Sequence, residues 1–277
     1  MRHYDLFSGG VALVTGGGSG IGAALAAGLA KRGCAVAVTD IEESAARTVA
    51  AELRRSGAVA QGYRLDVANA DEWNNVATCV TRELGPTSIL CSNAGVSGSF
   101  SPVIDLEPDR LRWLLEVNLI GALLGVQRMV PEMIARGHGS VLFTGSMAGL
   151  SSAALVADYS MSKHGLIALA DCLRQETADK GVRVTVLCPA AVRTALGRNS
   201  CRLAAQARHI ETDDSAAETL RASLTASSGG TITPMQAAER GLDALSRQEF
   251  LALTHPQATD RIRARTRLID MAIGAAS

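Results

Sequence analysis

Short runs of aliphatic and β-branched residues recur along the chain: VALVT at 11–15, CAVAVTD at 34–40, VAQGYRLD at 59–66, SILCSN at 88–93, SVLFTGS at 140–146 and VRVTVLCP at 182–189. These runs are near-continuously apolar, which is the pattern of strands covered by helices on both faces. Segments of helical length separate them. Residues 20–32 are alanine-rich, 42–56 open on Glu42 and Glu43 and close on Arg54 and Arg55, and 71–84 open on Asp71 and Glu72. Acidic starts and basic ends agree with the helix dipole. Strands alternating with helices need right-handed parallel crossovers, so the pattern predicts an α/β fold with a doubly wound parallel sheet in three α/β/α layers.

No Pro-, Gly- or Ser-rich linker and no fixed-period repeat divides the chain, so residues 1–277 read as a single domain. The rhythm breaks at 190–233, where charged, small and aliphatic residues mix. A long insertion after the carboxyl end of a strand is where such sheets carry a lid over a ligand.

Charge narrows the partners. Lys plus Arg and Asp plus Glu number 27 each, giving zero net charge, so no global field favours nucleic acid or an anionic membrane and small molecules are the expected partners. The start MRHYDLFSGG lacks the apolar stretch of a signal peptide, and no unbroken run reaches the roughly 18 apolar residues of a membrane span. A soluble, cytoplasmic protein is expected. Cysteines 34, 79, 91, 172, 188 and 201 show no CxxC pairing, so no metal is expected and the thiols should be reduced.

The first chemical signal is TGGGSGIG, Thr15–Gly22, lying between the first strand and first helix. Gly16, Gly20 and Gly22 permit positive φ, close approach of a pyrophosphate and tight helix-on-strand packing, with Ile21 in the same turn. The helix N-terminus supplies amide donors, and the Ser19 hydroxyl is placed to join them. The second strand then ends on Asp40, where a carboxylate accepts hydrogen bonds from an adenosine ribose. A 2'-phosphate there would meet like charge, so NAD is preferred over NADP. Arg47 is the nearest downstream base and is expected to face solvent.

The second signal is YSMSK, in which Tyr159 and Lys163 stand four residues apart and stack on one helical face. His164 points about 100° away and is assigned a structural or surface role.

Taken in order, these motifs resemble those of the short-chain dehydrogenase/reductase family over residues 10–195, the single-domain branch with TGxxxGIG and YxxxK. Asp66-Val67 is similar to the adenine-contact pair, Asn93-Ala94-Gly95 to the NAG motif, Asn118 lies in VNLIG and Ser146 ends the fifth strand. The resemblance implies a Rossmann-type fold. It implies that Asp66 bonds the adenine amino group, that the Val67 amide meets a ring nitrogen, and that Asn93 supports the cleft. Pro189, Val192 and Thr194 would contact the nicotinamide side, although Ala190 stands where many relatives have glycine.

By the same resemblance, Tyr159 is the acid/base, Lys163 binds the nicotinamide ribose and joins Tyr159 to a proton relay, Ser146 bonds the substrate oxygen and Asn118 holds a relay water. For Tyr159 to work near neutrality its pKa must fall by roughly 3 units, about 4 kcal/mol, with Lys163 and the positive nicotinamide as the sources. The implied activity is NAD(H)-dependent interconversion of a secondary alcohol and a ketone. The alternative is a catalytically weak dinucleotide-binding regulator or scaffold.

Met147, Leu150, Leu155 and Val156, with Leu196, Leu203 and Ile210 of the lid, predict a mainly apolar substrate pocket. Arg193, Arg198, Arg202 and Arg208 read mostly as solvated helix charges and leave an acidic substrate group open. The resemblance also suggests a homotetramer or homodimer built on helices around 108–136 and 158–180, and likens FLALTHP at 250–256 to a terminal strand and turn.

Overall fold

The computed structural model describes residues 6–208 and 230–276. Seven strands, β1 (Val11–Thr15), β2 (Ala35–Asp40), β3 (Ala60–Arg64), β4 (Thr87–Ser92), β5 (Gly139–Thr144), β6 (Val182–Cys188) and β7 (Leu251–Leu253), form one sheet in the order β3-β2-β1-β4-β5-β6-β7. Every pairing is parallel. The strand order reverses between β1 and β4, so a cleft opens at their carboxyl ends. The expected terminal strand is β7, which extends the sheet by pairing Leu251 with Val186.

The helices fall on two faces. Leu25 and Leu29 of α1 (Gly20–Lys31), Ala46, Ala50 and Leu53 of α2 (Glu43–Arg55) and Leu242 and Leu245 of the later helix Pro234–Ser246 form one buried cluster. On the other face lie Trp73, Val76 and Val80 of α3 (Ala70–Glu83), Val126, Met129 and Met133 of the helix Gly121–Arg136, and Leu166, Ala170 and Leu173 of the helix Ala157–Glu176. Burying each such side chain contributes roughly 1.5–3 kcal/mol before conformational entropy is counted. The continuous apolar strands therefore follow from their helical cover on both sides.

In chain order the remaining helices are α4 (Pro108–Leu115), α5 (Gly121–Arg136), α6 (Ala157–Glu176), α7 (Leu196–Arg208), α8 (Pro234–Ser246) and α9 (Asp260–Ala276). A π-helical turn at Glu116–Ile120 joins α4 to α5. The resulting stretch Pro108–Arg136 is long and apolar enough to cross a membrane, which the absence of an unbroken apolar run did not reveal. Half of its most apolar window is buried inside the fold, as in a helix that covers a sheet. Of the expected lid at 190–233, α7 and residues 230–233 are described; Ile210 and the side chain of Arg208 lie outside the described residues.

Candidate active site

The cleft is assembled from strand ends. Thr15 closes β1, and its hydroxyl accepts the amides of Asn93 (2.9 Å) and Ala94 (3.0 Å). The Asn93 amide group donates to the Thr15 carbonyl at 2.9 Å, while its oxygen accepts the Thr144 hydroxyl at 3.0 Å. One side chain thus ties β1, β4 and β5 together. The glycine turn packs directly on this hub. Gly16 has φ of 60°, and a Cβ on Gly22 would lie 2.1 Å from the Gly16 carbonyl oxygen, so the turn cannot close around a larger residue there.

Asp40 holds the other wall. Its carboxylate accepts the Gly18 amide at 3.0 Å and the Glu42 amide at 3.1 Å. Burial pushes its pKa up, and the backbone donors of Glu42 and Gly18 oppose that. Arg47 pairs with Glu43 on the exposed face of α2, in line with its expected solvent position. Arg202 is an exposed charge, and it reaches from α7 to pair with Glu42. The charge spacing within α7 could not show this, because the partner lies 160 residues away.

On the facing wall, Asn118 sits in the π-helical turn and is buried. Its oxygen accepts the Val96 amide at 2.7 Å, and its nitrogen donates to the Val96 carbonyl (3.0 Å) and the Ser162 hydroxyl (3.1 Å). Ser162 in turn donates to the Tyr159 carbonyl at 2.8 Å. A π turn inserts one extra residue and rotates the following helix, a distortion often found at functional sites. Lys163, only 4% exposed, donates to the Thr144 carbonyl at 2.9 Å and lies 5.7 Å from the centre of the Tyr159 ring. His164 hydrogen-bonds the Ser160 carbonyl through Nδ1 at 2.8 Å and meets Arg265 through its other nitrogen, a structural role as expected.

The electrostatics of the protein alone do not lower the tyrosine's pKa. Tyr159 borders the cleft, but lost hydration pushes its phenol up to about 12, with the Ser146 hydroxyl acting in the opposite direction. Burial also pulls the Lys163 ammonium down to about 8. The protein's own groups therefore move Tyr159 away from neutrality. The physical reason is the burial of the phenol itself, while the Lys163 ammonium is directed at the Thr144 carbonyl.

Two cavities, of about 610 Å³ and about 690 Å³, meet along a shared wall of Ser146, Tyr159, Ala190, Val192, Thr194 and Leu196. The first cavity runs from the glycine turn past Asp40 and is lined by Gly16, Ser19, Gly20, Ile21, Asp66, Val67, Asn93, Lys163 and Pro189. Gly22 packs beneath this turn and Asn118 behind the wall, so neither lines a cavity. Ala190 fits without positive φ, and the loop it begins is fastened by a bridge between Val192 and Ile232.

The second cavity takes Met147 and Leu196 from the expected pocket, together with Val156. Leu150 and Leu155 do not line it. Leu150 packs against the core beyond a single 3-10 turn, and Leu155 is 37% exposed with φ of 66°. Leu203 turns to the first cavity, beside Trp113 and Leu114. The residue pattern also missed Asp158, a buried carboxylate that accepts both the Ser99 amide (2.7 Å) and hydroxyl (2.8 Å), and so fastens the loop after β4 to the start of α6. Its acidic position in the first helical turn was the available signal.

Known proteins resemble this chain in sequence and in fold. The short chain dehydrogenase family model matches residues 10–203. A 1-deoxy-11-beta-hydroxypentalenate dehydrogenase from Streptomyces exfoliatus is 36% identical over 185 residues, covering 66% of this chain and 67% of that protein. A cyclohexanol dehydrogenase from an Acinetobacter species is 32% identical over 190 residues, covering 69% and 76%. A solved short-chain dehydrogenase/reductase from Burkholderia phymatum in complex with NAD superposes with a TM-score of 0.87 at 28% identity, covering 96% of each chain. Family model, sequence and fold coincide over most of the molecule, and the chain belongs to the short-chain dehydrogenase family of oxidoreductases.

Proposed function

We propose that the protein is an NAD(H)-dependent alcohol dehydrogenase/ketone reductase acting on the secondary alcohol of a mainly apolar small molecule. The observation that carries this reading is the position of Ser146 and Tyr159 on the wall common to both cavities. A dinucleotide in the first and an alcohol in the second would meet at those two hydroxyls. The residues fit such a cofactor: a Cβ on Gly18 would lie 2.8 Å from the Asp40 carboxylate, so only a bare backbone leaves room on that floor. Gly16, Ser19, Gly20 and Ile21 would hold its phosphates, Asp40 its adenosine ribose, Asp66 and Val67 its adenine, and Val192 and Thr194 its nicotinamide side. When bound, the nicotinamide supplies the hydride acceptor or donor.

The chain's own residues handle the proton. In alcohol oxidation Tyr159 takes the hydroxyl proton, Ser146 holds the substrate oxygen, and Lys163 with Asn118 carries the proton away. Because the Ser146 hydroxyl opposes the burial effect on Tyr159, Ser146→Ala should raise the kinetic pKa. The rise of kcat/KM with pH in the oxidation direction should therefore move to higher pH. An unmoved pH profile in a folded variant would show that Ser146 does not tune this tyrosine.

Asp40 supports NAD as the cofactor. Ile41 beside it is apolar, while Arg47 and Arg202 are held by Glu43 and Glu42. Like charge against a 2'-phosphate costs several kcal/mol, so NADP should be used roughly 100-fold or more less efficiently than NAD. Asp40→Asn should narrow that ratio by about tenfold or more, mainly through better NADP use; steady-state kinetics with both cofactors measure it.

The names of two relatives, cyclohexanol dehydrogenase and 2,5-dichloro-2,5-cyclohexadiene-1,4-diol dehydrogenase, the latter from Sphingobium indicum, support an alicyclic alcohol as substrate. The six cysteines, spaced without a CxxC pair, support a reducing, cytoplasmic setting. Exposed Ile120 and Met161 on the two proposed interface helices support a homotetramer or homodimer, which light scattering would distinguish from a monomer.

A further inference from the structure

We infer that the substrate carries a carboxylate, bound at the rim of the second cavity by Arg198 of α7 and Arg261 of α9. The inference rests on the alcohol/ketone reading for what lies at the cavity's inner end. Near Ser146 and Tyr159 the walls are apolar, formed by Met147, Val156, Phe100 and Leu196. The rim is different, for two exposed arginines from separate elements border the same space.

Most of the described arginines are already engaged. Arg202, on the same helix as Arg198, pairs with Glu42. On α9, Arg263 bonds the Thr259 hydroxyl and Arg265 the Leu150 carbonyl. Arg32, Arg64 and Arg240 each meet a carboxylate. Among the described residues, neither Arg198 nor Arg261 has an acidic group within ion-pair distance or a hydrogen-bond partner. Asp260 also borders the cavity, but it pairs with neither arginine and sits in the first turn of α9, where the helix dipole favours its charge.

Among the described residues that line the cavity, two cations stand against one anion, a positive excess. A guanidinium offers a planar fork of donors that matches a carboxylate and binds it in two-point fashion. The arrangement therefore selects an apolar body with the reacting carbinol at one end and a carboxylate at the other. Phe100, which borders the same space, has φ of 57°, a conformation that a bulky side chain holds only when its surroundings require it.

The test is calorimetric binding to the NAD-saturated protein, in which no hydride is available to a ketone, using linear and alicyclic keto acids and the methyl ester of each; NADH oxidation by the same compounds is assayed separately. The best acid should bind roughly ten- to a hundredfold more tightly than its ester, the effect expected of charge-assisted hydrogen bonds. Added salt should reduce that ratio. Arg198→Gln with Arg261→Gln should bring the ratio to about one, whereas the paired lysine variants should keep part of it. Esters that bind as well as acids throughout the series, or an acid preference that survives the double glutamine variant, would overturn the inference. Binding is read without turnover, so an acid preference with no NADH oxidation would support the anion site while counting against the proposed reaction.

Discussion

Tyr159→Phe should lose about 10³-fold or more of turnover, the upper range for removing a general acid/base, while binding NADH within about twofold of the parent. The substitution removes one oxygen and leaves the ring, which borders both cavities. The start of helix α6 is fastened through Asp158 and Ser162, and the hydroxyl's own interaction, with Ser146, lies in the cleft outside that helix. Stability should therefore hardly change. A drop in kcat with intact NADH affinity separates a chemical role from a structural one. Fluorescence titration with NADH and steady-state turnover, measured on the same preparation, provide both values.

Lys163→Met should move activity and stability in opposite directions. Its ammonium is buried, and burial pulls its pKa from 10.5 to about 8. The folded protein thus binds fewer protons than the unfolded chain between those two values, so the lysine's contribution to stability rises with pH across that window. Below about pH 8 its burial costs roughly 3 kcal/mol. Methionine fills similar space without the charge, but leaves the Thr144 carbonyl without its donor, a loss of about 1 kcal/mol. The net gain at pH 7 is roughly 2 kcal/mol, or about 5 °C in Tm.

That gain should vanish as pH approaches 10.5. Tyr159 has the opposite behaviour, since its folded pKa lies above the ordinary 10.0 and it lowers stability as pH rises beyond that value. It is present in both proteins, so its effect cancels in the comparison. Turnover of the variant should fall by at least about 100-fold, because the proton relay and ribose donor are lost together. A buried lysine that costs stability and serves only the site is the usual trade between activity and stability. Thermal melts at several pH values, with turnover alongside, check both signs.

Much of this architecture was legible in the sequence because it depends on local pattern. The strand VALVT coincides with β1 residue for residue, since a run buried on both faces must be apolar throughout. Gly22 was legible for a similar reason: the turn brings its Cβ position onto its own Gly16 carbonyl, only six residues away. Features set by distant partners were not legible. Arg202 looked like a surface charge until Glu42 was brought beside it. Leu150 and Leu155 differ from Met147 only in where one short turn ends, and composition carries no information about that. Asn118 was found as a residue, but its π turn and its bonds to Val96 depend on how α4 and α5 cross the sheet.

The tyrosine shows the same division. Its spacing from Lys163 was visible, but its acidity depends on hydration, and the surrounding fold raises its pKa rather than lowering it. A bound positive charge beside it would favour the phenolate and so alcohol oxidation near neutrality. Activity should consequently depend on cofactor and tyrosine together, with neither sufficient alone.

The most direct measurement is the appearance of NADH when the parent protein and Tyr159→Phe are each given NAD and a panel of secondary alicyclic, aliphatic and carboxylate-bearing alcohols. The account predicts NADH formation by the parent with at least one of these alcohols and essentially none by the variant, although both bind NADH. A parent protein that binds NADH yet oxidises no member of the panel, or a folded variant that matches the parent's rate, would contradict it.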